Sequence, residues 1–335
     1  MTQNWPNRSL LDLIGIDVPI VLAPMGGAVT PEMAAAVSNA GGLGMLALSW
    51  GTAESVRSDI RKTRALTDRP FGVNLVLEYD QQERFEICLE EKVPVLSFFW
   101  GDSAPFVAPA HAQGAIVMHT ASTASEARTV IAAGVDCIIA QGWEAGGHVQ
   151  GEVSTMALVP AIADIAGSVP VVAAGGIADG RGIAAAFALG AAGAWIGTRF
   201  LAADEADIHD HYRERLMAAG ESDTIHTFDL YDVGWRKAPH RTLKSETSRL
   251  WDDAGRPASG TRPKEHEVVA QSTGKGAIVR YSSSTPNKQT SGNIEALSMW
   301  AGQGVGLLKQ RQSAADITRE IADEAAGILN GLAAR

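Results

Sequence analysis

His148 ends the run Gln141-Gly142-Trp143-Glu144-Ala145-Gly146-Gly147-His148. Imidazole titrates near neutrality, so this side chain can take a proton or hydrogen-bond an anion. The two glycines before it let the backbone come close to a ligand. A lone histidine is more often structural, but one in such a loop is the first candidate for catalysis. Gly175-Gly176 and Gly197-Thr198 offer a second chemistry. Their backbone N–H groups and one hydroxyl can cradle a phosphate, and a helix expected after Gly176 would add its dipole. Ala23-Pro24-Met25-Gly26 offers an apolar platform with exposed backbone groups, suited to a flat heteroaromatic ring. Asn74 is a polar residue inside an apolar run. Its amide both donates and accepts, which suits an imide edge such as a flavin pyrimidine. His119, at the end of an expected strand, is a secondary candidate for the same pocket. His209 and His211 lack companions with ligand geometry, so no metal site is expected.

These residues need a scaffold that brings distant loops to one rim. Residues 1–200 repeat one theme, a short β-branched run followed by an alanine-rich helical stretch. Strands are expected over 18–23, 44–48, 71–77, 93–99, 115–119, 137–141, 169–173 and 193–200, with a helix in each interval. The strands are continuous apolar runs, as for parallel strands covered on both faces. Eight such units predict an α/β protein with a (β/α)8 TIM barrel, whose active site lies at the strand C-termini. Every glycine loop named above falls at that face. Barrels often bind phosphate with the loops after strands seven and eight, where Gly175-Gly176 and Gly197-Thr198 stand. The rival, an open doubly wound sheet, is disfavoured by the eight consecutive units and the lack of an early GxGxxG.

Beyond residue 201 the character changes. Residues 221–293 read as loop-rich and charged, 202–216 and 295–310 as helix candidates, and 314–334 as a closing helix. The expected division is a barrel of 1–201 and 311–335, with 202–310 as a lid that forms part of the substrate pocket. The chain has 28 basic and 38 acidic residues, a net charge of −10, which argues against a nucleic-acid partner. No run is apolar enough for a membrane span, and the N-terminus lacks a signal-peptide pattern. Cys88 and Cys137 sit far apart in apolar runs, so buried free thiols in a cytoplasmic protein are expected.

The segments APMGG, FGVNL, AQGWEAGGH, AAGGIADGRG and IGTRF, in this order, resemble the nitronate monooxygenase family, formerly called 2-nitropropane dioxygenases. WAGQGVGLL at 300–308 resembles that family's C-terminal signature. FabK-type enoyl-acyl-carrier-protein reductases share a similar EAGGH segment. The resemblance implies FMN in a TIM barrel. It implies an isoalloxazine lying against Ala23, Pro24, Met25 and Gly26, with Asn74 and Gln141 contacting it and Gly146 and Gly147 lining it. It implies phosphate on Gly175, Gly176, Gly197 and Thr198. His148 would hydrogen-bond a substrate nitro group or take the proton α to it. The implied reaction oxidises alkyl nitronates with O2 to a carbonyl compound and nitrite. The alternative is an NAD(P)H-dependent reductase of enoyl thioesters or quinones; a non-catalytic FMN sensor is a third reading. Trp143 and Gln303 count with His119 as pocket candidates, and a homodimer is compatible with the family. His119 departs from the small or hydroxyl residue expected there. Phe98, Phe99, Trp100 and Trp143 are bulky, which would narrow the pocket or admit aromatic substrates.

Overall fold

The computed structural model describes residues 5–334. Its main sheet has eight parallel strands: Ile20–Leu22, Gly44–Ala47, Phe71–Val76, Val95–Phe99, Ile116–Ala121, Cys137–Gln141, Val171–Ala174 and Gly193–Ile196. From the second on, each pairs with the next in sequence, and the eighth pairs with the first. The ring closes where Leu22 N–H donates to Leu43 O and Leu43 N–H to Ile20 O, both at 2.9 Å. This is the TIM barrel that the apolar runs and their spacing predicted.

Local chemistry explains the element boundaries. Thr30, Thr52 and Thr123 each cap a following helix with the hydroxyl oxygen, so those turns begin where the strand loops end. The barrel interior includes Met45, Val95, Met118, Ile139 and Val172. A second apolar layer, with Leu46, Val73, Leu96, Val117, Ile138 and Ala173, packs against the surrounding helices. The two sets alternate along each strand, as a period of two requires. Cys88 and Cys137 are buried and unpaired. A short helix that the sequence pattern did not reveal, Ser9–Ile14, buries Leu10 and Leu11 near the N-terminal end of the eighth strand. The last helix, Ala314–Ala333, packs against Pro31–Asn39 and Gly180–Ala188 and completes the helical ring.

The segment 202–310 is more ordered than its composition suggested. Thr224–Thr227 and His240–Leu243 pair antiparallel, and His240–Leu243 also pairs with Gly147–His148. Val268–Ser272 forms a second small sheet with Gly276–Val279 and Thr290–Gly292. Each region has its own apolar cluster, one around Tyr231, Trp251 and Tyr281 and another around Ile278, Ile294 and Leu297. The helix expected over 295–310 is instead two 3-10 turns, Ile294–Ala296 and Gln303–Leu307. Glycines at 302, 304 and 306 disfavour a continuous helix there. They also allow the chain to run directly against the barrel rim.

Candidate active site

A cavity of ≈ 620 Å³ opens at the C-terminal end of the barrel strands. Its floor and walls include Ala23, Pro24, Met25, Gly26, Asn74, Gln141, Gly146, Gly147, His148, Gly175, Gly176, Gly197 and Thr198. All thirteen are residues that sequence reasoning had singled out. The inserted segment closes the other side with Trp235, Lys275, Ser282 to Thr285 and Trp300.

Glycine is required at two of these places by close approach. A Cβ on Gly146 would lie 2.4 Å from Gly302 N, and one on Gly175 would lie 2.8 Å from Thr155 Oγ1. Gly175 also has φ +111°, a conformation that side chains disfavour. The loop between is tied down by Glu144, which the sequence reading left without a role. Its carboxylate accepts from Thr155 N–H at 2.8 Å and from Thr155 Oγ1 at 2.9 Å.

His148 sits on the cavity wall, packed by aromatic rings. Trp235 stacks on it at 4.0 Å, and Trp300 lies 5.2 Å away. Burial, and then the neighbouring His240, hold its pKa well below the usual histidine value, so the ring is neutral at physiological pH. Its Nε2 is buried without a partner. His240 is fixed in one neutral form. Its Nδ1 lies 2.9 Å from Ala238 O, which can only accept, and its Nε2 takes the Tyr231 N–H at 3.1 Å. Burial lowers the His240 pKa to about 4. Because His240 and His148 are β-partners, the inserted strand sets the backbone position of the histidine.

Several donors and acceptors around the cavity are without partners. Gln141 Nε2 donates to His148 O at 3.2 Å, which leaves Gln141 Oε1 buried and unpartnered. The Asn74 amide, only 5% exposed, makes no side-chain hydrogen bond among the described residues. The N–H groups of Gly175, Gly176, Gly197 and Thr198 likewise find no acceptor among the described residues. Thr198 Oγ1 accepts from Gly302 N–H at 2.9 Å, so its own hydrogen remains free to donate. The helix after Gly176 does not aim its N-terminus at this rim as expected. That helix starts only at Gly180, and the Asp179 carboxylate takes the N–H groups of Arg181 and Gly182. Gly180 N–H goes to Glu324 Oε2 at 2.8 Å. An anion at this rim would meet loop amides rather than that helix terminus.

Three pocket candidates fall elsewhere. His119 does not line the cavity. Thr120 and Met118 face the barrel interior, so His119 between them faces the helix layer beside Phe98 and Ile138. It is fully buried with both nitrogens unpartnered, and burial lowers its pKa to about 4 despite Asp102. Trp143 turns away from the cavity, with its ring centroid 4.1 Å from that of His226 and 5.2 Å from the Arg241 guanidinium. Arg241 donates to the Trp143 carbonyl at 3.0 Å. Gln303 lies in a separate groove of ≈ 460 Å³ behind the Gly175-Gly176 loop, with Met156 and Leu307. Its neighbours Gly302 and Gly304 take the cavity side. Conversely, Trp235, His240 and Trp300 lie at the site although sequence reasoning did not place them there. Their only cue was aromatic rings in an otherwise polar stretch.

Comparison with known proteins places this architecture. The family profile described as nitronate monooxygenase matches residues 7–84 and 78–324. The chain belongs to the nitronate monooxygenase family. A nitronate monooxygenase of Paraburkholderia phytofirmans is 35% identical, over 96% of this chain and 97% of the relative. A (3aS,4S,5R,7aS)-5-hydroxy-7a-methyl-1-oxo-octahydro-1H-indene-4-carboxyl-CoA dehydrogenase of Rhodococcus jostii is 38% identical, over 74% of this chain and 68% of the relative. Among solved structures, FabK from Thermotoga maritima superposes with a TM-score of 0.79 at 32% identity, covering 99% of each chain. Nitronate monooxygenase family members are flavin-dependent, and this chain is an oxidoreductase of that kind. No described helix is long and apolar enough to cross a membrane.

Proposed function

We propose that this family member binds FMN and oxidises alkyl nitronates with O2, giving a carbonyl compound and nitrite. The observation that carries the reading is His148: an imidazole on the wall of the cavity, with one ring nitrogen unpartnered. The full-length likeness to a nitronate monooxygenase supports it. FMN, when bound, supplies the electron acceptor for the substrate and the electron donor for O2.

The residues present fit that cofactor. Asn74 and Gln141 Oε1 would hydrogen-bond the ring's polar edge, and Ala23 to Gly26 would lie against its face. The amides of Gly175, Gly176, Gly197 and Thr198 would hold the phosphate without a cationic side chain. His148 would donate a hydrogen bond to a nitro oxygen through one nitrogen. When the neutral nitroalkane is the substrate, its unprotonated nitrogen would instead accept the proton α to the nitro group. Trp235 and Trp300 would exclude water from that nitrogen and keep it uncharged. We assign 202–310 the role of a lid, since it brings Trp235 and Trp300 to the histidine.

The FabK likeness over 99% of both chains favours one rival, reduction of an enoyl thioester or quinone by NAD(P)H. The His148→Ala variant tests the nitronate reading. It should keep its flavin and lose about 10²-fold or more in nitroalkane turnover. Undiminished turnover would remove His148 from the reaction.

A further inference from the structure

Lys275 is the only charged side chain among the described residues that line the cavity. It sits in the turn between Val268–Ser272 and Gly276–Val279, and its ammonium lies beside Gly27, at the end of the first rim loop. Among the described residues no carboxylate lies within ion-pair reach of its ammonium. Asp207 attracts it from a distance, but the Asp207 oxygens accept from Asn287 Nδ2 and Lys288 N–H. The one hydrogen bond of the ammonium goes to Ser284 Oγ at 3.3 Å. Ser284 Oγ therefore accepts, and its hydrogen is free. Ser282 Oγ accepts from Ser284 N–H at 3.3 Å, which frees a second hydroxyl hydrogen. Both serines line the same cavity. This corner thus carries a positive charge without an ion-pair partner and two O–H donors without an acceptor among the described residues.

The corner is continuous with the histidine. Thr285, next to Ser284, accepts from Trp300 Nε1 at 3.0 Å, and Trp300 lies against His148. Trp50 and Trp235, centroids 6.0 Å apart, make an apolar wall beside it. We infer that Lys275, Ser282 and Ser284 form a subsite for an anionic group, carboxylate or phosphate ester, at the far end of the substrate. The substrate would then be an amphiphile, with its reacting carbon at His148, an apolar body along Trp50 and Trp235, and a negative end at Lys275. A charge-assisted contact of this kind is worth more than a neutral hydrogen bond. The inference deepens the functional proposal by naming a substrate class. Its test reads binding alone, so it stands or falls separately from nitronate turnover.

The flavin-loaded enzyme would be titrated with hexanoate, butyl phosphate and neutral 1-hexanol, following the fluorescence of the cavity tryptophans. At least one anion should bind about tenfold more tightly than the alcohol, and the tighter anion identifies the natural end group. That preference should fall as salt rises from about 0.02 to 0.5 M. It should vanish in Lys275→Met and persist in Lys275→Arg. Equal binding of all three probes, a salt-independent preference, or an undiminished preference in Lys275→Met would overturn the subsite. Should Lys275→Met fail to fold, the wild-type salt titration and Lys275→Arg still decide it.

Discussion

His119 offers a sharp test of how strand alternation sorts the residues near the cavity. It lies one position from Thr120, which lines the pocket, yet it is buried behind the barrel wall with both ring nitrogens unpartnered. Leucine has similar bulk and no polar atoms. An unsatisfied buried polar group costs about 1–3 kcal/mol, so His119→Leu should stabilise the protein at pH 7 by about that much. The pH dependence is more diagnostic. The folded pKa is about 4 and an unfolded histidine titrates near 6.5, so the folded state binds fewer protons between those values. Stability from this group is present above pH 6.5 and is lost as pH falls towards 4. At pH 5 the loss is about 2 kcal/mol. His240 carries a similar shift and contributes equally to both proteins, as does His148 in direction. The stability gap between variant and wild type should therefore widen by about 2 kcal/mol between pH 7 and pH 5. Urea unfolding at the two pH values measures it, with turnover assayed in parallel. A constant gap would refute the buried neutral state. Lost turnover with flavin retained would put His119 back in the pocket.

Other substitutions probe the remaining parts of the site. Trp235→Ala should let water reach His148 and raise its pKa; kcat/KM would then fall below about pH 6.5 while the wild type stays active at lower pH, as a pH profile would show. Thr198→Val removes the acceptor for Gly302 N–H and one donor at the proposed phosphate cradle. Flavin titration should find binding about tenfold weaker. Gly146→Val would drive a side chain into Gly302, whose nitrogen would lie 2.4 Å from the new Cβ. Thermal denaturation should record a loss of about 1–3 kcal/mol, and the purified protein should hold less flavin.

What the sequence disclosed follows from which interactions were local. The barrel strands are continuous apolar runs because both faces are covered, and that pattern survives without any knowledge of partners. The rim glycines were legible as clusters at strand ends, although what requires glycine at 146 is the distant Gly302. His119 went to the wrong side because a one-residue shift in a period-two strand reverses the face. Nothing local distinguishes His119 from Thr120. The inserted segment was harder still. Its strands are short, and Gly147–His148 becomes a strand only because His240 and Arg241 lie beside it. Trp235, His240 and Trp300 reach His148 through these distant pairings, so no spacing within 202–310 points to them. Asp179 shows the opposite limit. It was visible as a residue of the glycine loop, but only its geometry shows that it occupies the helix terminus.

The most direct measurement is anaerobic mixing of the purified enzyme with an alkyl nitronate or with NADH, followed by the flavin absorbance. The nitronate should bleach the flavin, admission of O2 should restore the colour with release of nitrite, and NADH alone should leave the spectrum unchanged. Rapid bleaching by NADH with no response to nitronate would contradict the proposed reaction and establish the reductase in its place.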